Sequence, residues 1–481
     1  MESLKETAAK GLFWGGLSNA IQQVLNLVFG IFVARLLNVE EYGIVGMLAV
    51  FSVLGQYLME GGFKFALCNK KNATPEDFNS VFWINVIIAI IIYAILFVCA
   101  PLIAQFFHTP ELKALSRLTF LSFVFSALGL SHNAYLYKNL MAKQMAKCGF
   151  VAVLISGLTG LTMALAGMSY WGIATQNVCY VFIFSAMTWH YSPIRPHWGF
   201  SIKPIKEMLP FSIKIVITNL FHFTGENIFS LLLGRYYTPH DVGQYSQAYK
   251  WNNIAQMSIV MAINNISQPL FVKANQDDRR LRVFRKLLRF TVFVSMPAMI
   301  GLSFAAPEFI TITITDKWLN CANIMRILCI WGAFYPVYEI YNRQLVSSGK
   351  SGEYMYVTIV RSITQIIVLA ITHSYGLIAM AYNYLIINLL SIAALHFLVS
   401  KINGITIKNA IADIAPYLTT TLFAITLAYI ATYNINNVYL RFTTKVLVTA
   451  ATYIITLKLL GSVMLKDTID FLKKLLKHKQ K

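Results

Sequence analysis

The chain has 481 residues, 57% of them hydrophobic and only 12% charged, with a mean hydropathy of +0.60. That is far more apolar material than one water-soluble core can bury, so a soluble globular domain is excluded and the chain reads as an all-α polytopic membrane protein. Its net charge of +20 is dispersed through alternate loops rather than gathered into a basic, aromatic-lined groove, which sets aside nucleic acid as a partner.

A hydrocarbon layer about 30 Å thick takes roughly 20 apolar residues per helix. The sequence supplies fourteen such runs, at 11–33, 43–66, 80–105, 115–136, 148–167, 170–189, 209–232, 249–272, 290–312, 322–346, 354–373, 376–400, 413–432 and 440–463. The opening MESLKETAAKGLFWGG is a short lysine-bearing lead without a cleavage pattern, so the first helix is expected to remain as an anchor. An even number of spans puts both termini on one side. Most lysines and arginines fall in the termini and in the loops after the even-numbered helices, which predicts that both ends are cytoplasmic. HWGFSIKPIKEMLP reads as an amphipathic linker in which Pro210 starts the seventh helix. The loop at 233–248 is the longest on the other side, too short for a soluble domain. The block Lys273–Arg289 reads as a cytoplasmic amphipathic connector beside anionic headgroups, and the tail LKDTIDFLKKLLKHKQK as a short interfacial helix. The six cysteines show no CxxC spacing and read as small buried hydrophobes rather than disulfides or metal ligands.

One stretch repeats. ARLLNVEEYG, Ala34–Gly43, returns as GRYYTPHDVG, Gly234–Gly243, each with a small residue before an arginine (Arg35, Arg235), an acid (Glu41, Asp241) and a glycine that opens the next apolar run. Asn19 is echoed by Asn219, Gln56 by Gln256, Ala100-Pro101 by Ala306-Pro307, Arg117 by Arg326 and Lys143 by Lys350. The chain is therefore expected to be a duplication: a first lobe over 1–190, a linker over 191–208, a second lobe over 209–402, two appended helices over 403–463 and a basic tail over 464–481. Two lobes related by an axis along the membrane normal, with a site held between them, is a transporter architecture.

No GxSxG, HExxH or phosphate-binding loop is present, so no enzyme activity and no cofactor is expected. The polar inventory of the apolar runs carries the functional reading, because an ionisable group in a bilayer faces a bundle interior or a watery cavity by default. Helix 7 carries Lys214, His222 and Glu226; helix 2 carries Glu60 and Lys64; helix 10 carries Arg326, Glu339 and Arg343; helix 11 carries Arg361; Arg117 and Lys250 lie near the outer ends of helices 4 and 8. Amides crowd helices 1, 2, 7 and 8: Asn19, Gln22, Gln23, Asn26, Gln56, Asn219, Asn227, Asn252, Asn253, Gln256, Asn264, Asn265 and Gln268. A single such amide is more often interhelical glue; the stripes together predict a hydrated cleft. The expected substrate site is Lys214, Arg361, Glu226, Lys250, Arg117 and Arg326 with Gln56, Gln256, Asn219 and Asn264. Glu226 either pairs with a cation or binds a proton or cation, and His222 is a core histidine or a proton shuttle.

The turn ARLLNVEEYG after KGLFWGG, the later ITDKWLNCANIMRIL and the linker FSIKPIKEMLPFS resemble the polysaccharide-transporter branch of the multidrug/oligosaccharidyl-lipid/polysaccharide (MOP) flippase superfamily, the Wzx-type flippases of O-antigen and capsule repeat units. The resemblance implies two six-helix lobes in a V with two extra C-terminal helices, in the bacterial inner membrane. It implies an undecaprenyl-diphosphate-linked oligosaccharide as substrate, carried from the cytoplasmic to the periplasmic leaflet; alternating access is the expected cycle, and whether a sodium or proton gradient drives it and whether polysaccharide polymerase machinery is a partner are left open by the sequence. For such a substrate Lys214 and Arg361 are the cations expected on the diphosphate, and Trp331, Tyr335, Tyr338 and Tyr341 the aromatics for sugar rings. Helix 1 has amides where the related lipid II flippases carry arginines, which directs the search for the diphosphate site to the second lobe. The alternatives are a cation-coupled multidrug exporter of the same superfamily, whose cavity should favour acids, and a membrane glycan polymerase or ligase, which needs a sizeable catalytic loop.

Overall fold

A computed structural model describes the backbone of residues 4–60, 62–70, 72–199, 201–276 and 280–478; side chains are described for these except at 4–13, 15, 17, 59, 60, 214, 215, 217–219, 221–226, 264–266, 268, 269, 272–276, 351, 471, 472 and 474–478. The described residues form seventeen α-helices and two short 3₁₀ turns, with no strand among them. In order they are α1 (Leu4–Leu36), α2 (Val39–Glu60), α3 (Phe63–Asn69), α4 (Pro75–Phe106), α5 (Leu112–Lys138), α6 (Ala142–Leu165), α7 (Tyr170–Tyr191), α8 (Ile202–Tyr236), α9 (Pro239–Gln276), α10 (Arg280–Phe304), α11 (Ala306–Ile314), α12 (Leu319–Ser347), α13 (Ser351–Thr372), α14 (Leu377–Asn403), α15 (Ile407–Thr432), α16 (Val438–Leu459) and α17 (Val463–His478). All but the short α3, α11 and α17 correspond to the fourteen expected helices. Ten segments of the described residues are long and apolar enough to cross a membrane, and the chain is a multi-pass membrane protein.

Five boundaries differ from those expected, three of them for a stated local reason. The run at 43–66 is two helices, because Gly62 at φ 71° turns the chain between α2 and α3. The run at 290–312 breaks at Ala305, since Pro307 in the first turn of α11 has no N–H to continue α10. Pro210 does not start a helix: it lies inside α8, which begins at Ile202 with Pro204 in its first turn, where a missing N–H costs nothing. Residues 202–208 of the expected linker are thus the first turns of α8, and residues 192–199 connect α7 to it without helix. Likewise the basic block is mostly the start of α10, and the loop expected at 233–248 shrinks to Tyr237 and Thr238.

The chain divides into two compact units, Met1–Gly243 and Gln244–Lys481. In the first, α4 packs on α5, α5 and α6 pack on α7, and α1 lies along α6. Its apolar core is Phe63 and Leu67 of α3, Phe78 and Val81 of α4, and Ala127 and Ala134 of α5, against Ile205 and Met208 at the start of α8. In the second, α10 packs on α12, α12 and α13 on α14, and α15 joins α10 to α16. Positive-φ residues punctuate the same joints in both: His108 and Thr315 after the first pair member, Leu140 and Gly349 after the next, then Gly167 and Gly376.

The repeated turn explains itself at atomic scale. The backbone N–H of Asn38 donates to Glu41 Oε2 at 2.7 Å, and that of Thr238 donates to Asp241 Oδ2 at 3.2 Å. In the second copy the Asp241 N–H returns a bond to Thr238 Oγ1 at 3.3 Å, closing a capping box. Both acids are therefore caps. The two glycines are close-approach residues: a Cβ on Gly43 would run into the carbonyl oxygen of Pro239, and one on Gly243 into that of Val39. Residues 39 and 43 thus meet 239 and 243 reciprocally, the pattern of a local pseudo-twofold axis.

Candidate functional site

Within the first unit, α2, α3, α5 and α7 enclose a polar cavity of about 230 Å³. Gln56, Lys64, Asn133 and Tyr180 line it with the hydroxyls of Ser126 and Ser185. The helices reach this spacing because Gly129 of α5 sits directly on Ser185 of α7, where a Cβ would overlap the serine. Asn133 Oδ1 is buried without a hydrogen-bond partner, an acceptor held open toward a ligand or water. An ammonium, two amides, a phenol and hydroxyls together suit an anionic or hydroxyl-rich group.

In the second unit Arg361 of α13 is only 4% exposed. Its Nη1 donates to Asn388 Oδ1 at 3.4 Å, which also receives Gln365 Nε2 at 3.2 Å, while Asn388 Nδ2 donates to the Tyr384 carbonyl at 2.8 Å. The guanidinium lies 4.9 Å from the ring centroid of Tyr338, which stacks on Tyr335 at 6.0 Å and meets Trp331 edge-on at 5.9 Å. A desolvated cation over such a ring gains roughly 2 kcal/mol, so α12 and α13 hold the charge in one place. The result is a buried guanidinium flanked by amides and a rank of aromatics.

The other expected residues fall elsewhere. Gln256 is buried and accepts from Asn252 Nδ2 at 3.2 Å, the pair lying over Gly332 of α12, where a Cβ would meet Asn252. They serve packing. Lys250 is half-buried with its Nζ 5.9 Å from the Trp251 ring centroid. Arg117 does not line the cavity: its guanidinium lies 4.1 Å from the Phe97 centroid, between α5 and α4. Arg326 is exposed near the start of α12. The side chains of Lys214, Asn219, His222, Glu226 and Asn264 lie outside the described residues. On α1, Gln22 bonds Ser18 at 2.7 Å over Gly149, while Asn19, Gln23 and Asn26 are the exposed stripe. Tyr341 separates from its aromatic neighbours, bonding His396 Nδ1 at 3.0 Å and packing edge-on to Phe284.

Two ion clusters escaped the sequence reading. Asp413 of α15, with no side-chain exposure, receives Arg285 Nε at 2.7 Å and Arg289 Nε at 2.5 Å. Glu308 of α11 receives Lys445 of α16 at 2.9 Å, with Arg441 at 3.9 Å. Both fasten the appended helices to the second unit. The signal was present, since each is an ionisable residue in or beside an apolar run. Between helices, Lys70 is gripped by Asp77 at 2.8 Å and Glu207 at 3.0 Å, whose hydrogen bonds hold its ammonium above the usual lysine range.

The sequence family described as polysaccharide biosynthesis protein matches residues 32–323. The chain belongs to that family. Similar proteins include an uncharacterized Klebsiella pneumoniae membrane protein in the cps region, 23% identical over 98% of this chain and 99% of the relative. The Bacillus subtilis teichuronic acid biosynthesis protein TuaB is 22% identical, covering 73% of each chain, and the Escherichia coli lipopolysaccharide biosynthesis protein WzxC 24%, covering 70% of this chain and 69% of its own. The fold is shared with the lipid II flippase MurJ in its inward closed conformation, at a TM-score of 0.73 and 18% identity over 95% of this chain and 99% of MurJ. It is shared also with an inward-facing multidrug resistance MATE transporter of the MOP superfamily, at 0.63 and 12% over 80% and 96%. This polysaccharide biosynthesis protein thus has the MOP fold, and its named structural neighbours are flippases and transporters rather than enzymes.

Proposed function

We propose that the chain flips undecaprenyl-diphosphate-linked oligosaccharide repeat units from the cytoplasmic to the periplasmic leaflet of a bacterial inner membrane, with both termini cytoplasmic. The observation that carries this reading is the buried Arg361, set among Asn388, Gln365 and the rings of Tyr338, Tyr335 and Trp331. A diphosphate bearing sugars cannot cross hydrocarbon unaided; it needs a cation for the phosphates, amides for the hydroxyls and aromatic faces for the rings. The polar cavity at Gln56 and Lys64 supplies the same chemistry in the first unit. The names of two relatives, drawn from teichuronic acid and lipopolysaccharide biosynthesis, support a glycan-linked substrate. The reading extends to two repeated lobes rocking in alternating access, coupled to a sodium or proton gradient, and to polymerase machinery that takes up the flipped unit.

Lys214 and Arg361 are the residues proposed to hold the diphosphate in the inward-facing state. Each charge-assisted hydrogen bond contributes roughly 1.5–3 kcal/mol, so replacing both by alanine is expected to lower glycan export by at least about 100-fold at unchanged protein level. The assay is complementation of a strain lacking its own repeat-unit flippase, and wild-type export by the double variant would overturn the assignment. Reconstitution with lipid-linked glycans, with and without an imposed ion gradient, tests the coupling.

A further inference from the structure

At the start of α10 lies a cavity of about 560 Å³ that the transport reading does not use. Arg282, Arg285, Lys286 and Arg289 line it from one face of α10, spaced three, four and seven residues apart, against Val463, Met464 and Asp467 at the start of α17. We propose that this cavity binds the phosphodiester headgroup of an anionic membrane phospholipid, as a site separate from the one that carries the substrate.

Charge is the first argument. Asp413 cannot neutralise both guanidiniums it touches, and Lys286 alone is matched, by Asp467 at 2.9 Å. Arg282 has no acidic partner among the described residues. Two carboxylates against four cations leave the cavity net positive, while Asp277 and Asp278 lie outside the described residues. Asp413 acts chiefly as an anchor, fixing Arg285 through a two-pronged contact at 2.7 and 2.9 Å so that its charge is pre-positioned. The helix adds to the same field. An α-helix presents partial positive charge at its N-terminus, where acids are ordinarily favoured, yet here the first three turns of α10 are filled with cations.

Depth is the second argument. α10 is itself a membrane-spanning segment, so its first turns stand at the level of lipid headgroups. The wall opposite the cations is apolar, with Val463 59% exposed beside the buried Met464. A free phosphate has no use for that wall; the glycerol and upper acyl carbons of a phospholipid do. Basic pockets between spans at this depth are suited to acidic headgroups.

The test uses the purified full-length protein in neutral detergent, titrated with short-chain phosphatidylglycerol, short-chain phosphatidylcholine or inorganic phosphate. Thermal stabilisation is read together with bound lipid by native mass spectrometry. Phosphatidylglycerol is expected to bind and stabilise, and the other two to have no effect at the same concentration. The double variant R282Q/K286Q should weaken phosphatidylglycerol binding about 30-fold, a factor of roughly five for each cation near an anionic surface. K473Q, on the exposed part of α17 outside the cavity, should leave it unchanged. Should the double variant fail to fold, R282Q alone, at an exposed position, is expected to cost about fivefold. Equal binding of phosphatidylcholine, an unaltered double variant, or displacement of the lipid by equimolar inorganic phosphate would each overturn the assignment.

Discussion

Asp413 is the clearest case of one residue serving several. Its carboxylate is wholly enclosed, and it holds two arginines of α10 that are themselves 27% and 37% exposed. Removing the charge while keeping the shape, in Asp413→Asn, leaves two guanidiniums facing a neutral amide. A fully buried pair broken in this way costs about 3–5 kcal/mol; the partial exposure of the arginines lowers the expectation to about 2–3 kcal/mol. The measurement is the denaturation midpoint in detergent, and an unshifted midpoint would show the cluster to be ornamental. Of the candidate site residues, Arg361 stood out in the sequence because a cation in an apolar run must have partners, and Gln56 because it is echoed by Gln256 and shares a helix with Glu60 and Lys64. Asn133 and Tyr180 were not, since neither is charged and only the packing of α5 against α7 turns them into one cavity. Arg117 resembled Arg361 on paper, and what separates them is the helix face: it lies on Phe97 of a neighbouring span, a contact that no one-dimensional pattern encodes.

At the scale of elements, the long helices could be read because each buries an uninterrupted apolar run, whereas their ends could not. Proline illustrates the reason. Pro101 and Pro210 ride inside continuous helices while Pro307 restarts one, so what the ring does depends on which neighbouring groups can satisfy the carbonyl it leaves open. The appended helices make a sharper test. α16 is tied to α11 by Lys445 and Glu308, 9% and 7% exposed. Lys445→Met alone is expected to destabilise by about 3 kcal/mol, because it strands a carboxylate with only Arg441 at 3.9 Å for company. Lys445→Met with Glu308→Leu should recover most of that loss, since an apolar pair of similar volume can replace a buried ion pair at little cost. A double-mutant cycle on melting midpoints measures the coupling, and additive losses would contradict it.

At the scale of the chain, positive-φ residues recur at three matching joints of the two helix sets, and the repeated turn itself makes a reciprocal contact of Gly43 with Pro239 and Gly243 with Val39. Gly43→Ala and Gly243→Ala are expected to destabilise by similar amounts, on the order of 1–3 kcal/mol each, as overpacking of a fitted contact does. Folded yield and melting midpoint of the two variants should fall together; a large loss at one glycine alone would show that the pseudo-symmetry is only of the trace. The shape of that contact has an evolutionary consequence. What opposes each glycine is a peptide oxygen, which every residue possesses, so no trimming of a facing side chain can make room for a methyl group. Second-site suppressors of either alanine must therefore act by displacing a whole helix, and they should be rarer and more remote than those that relieve an ordinary core clash.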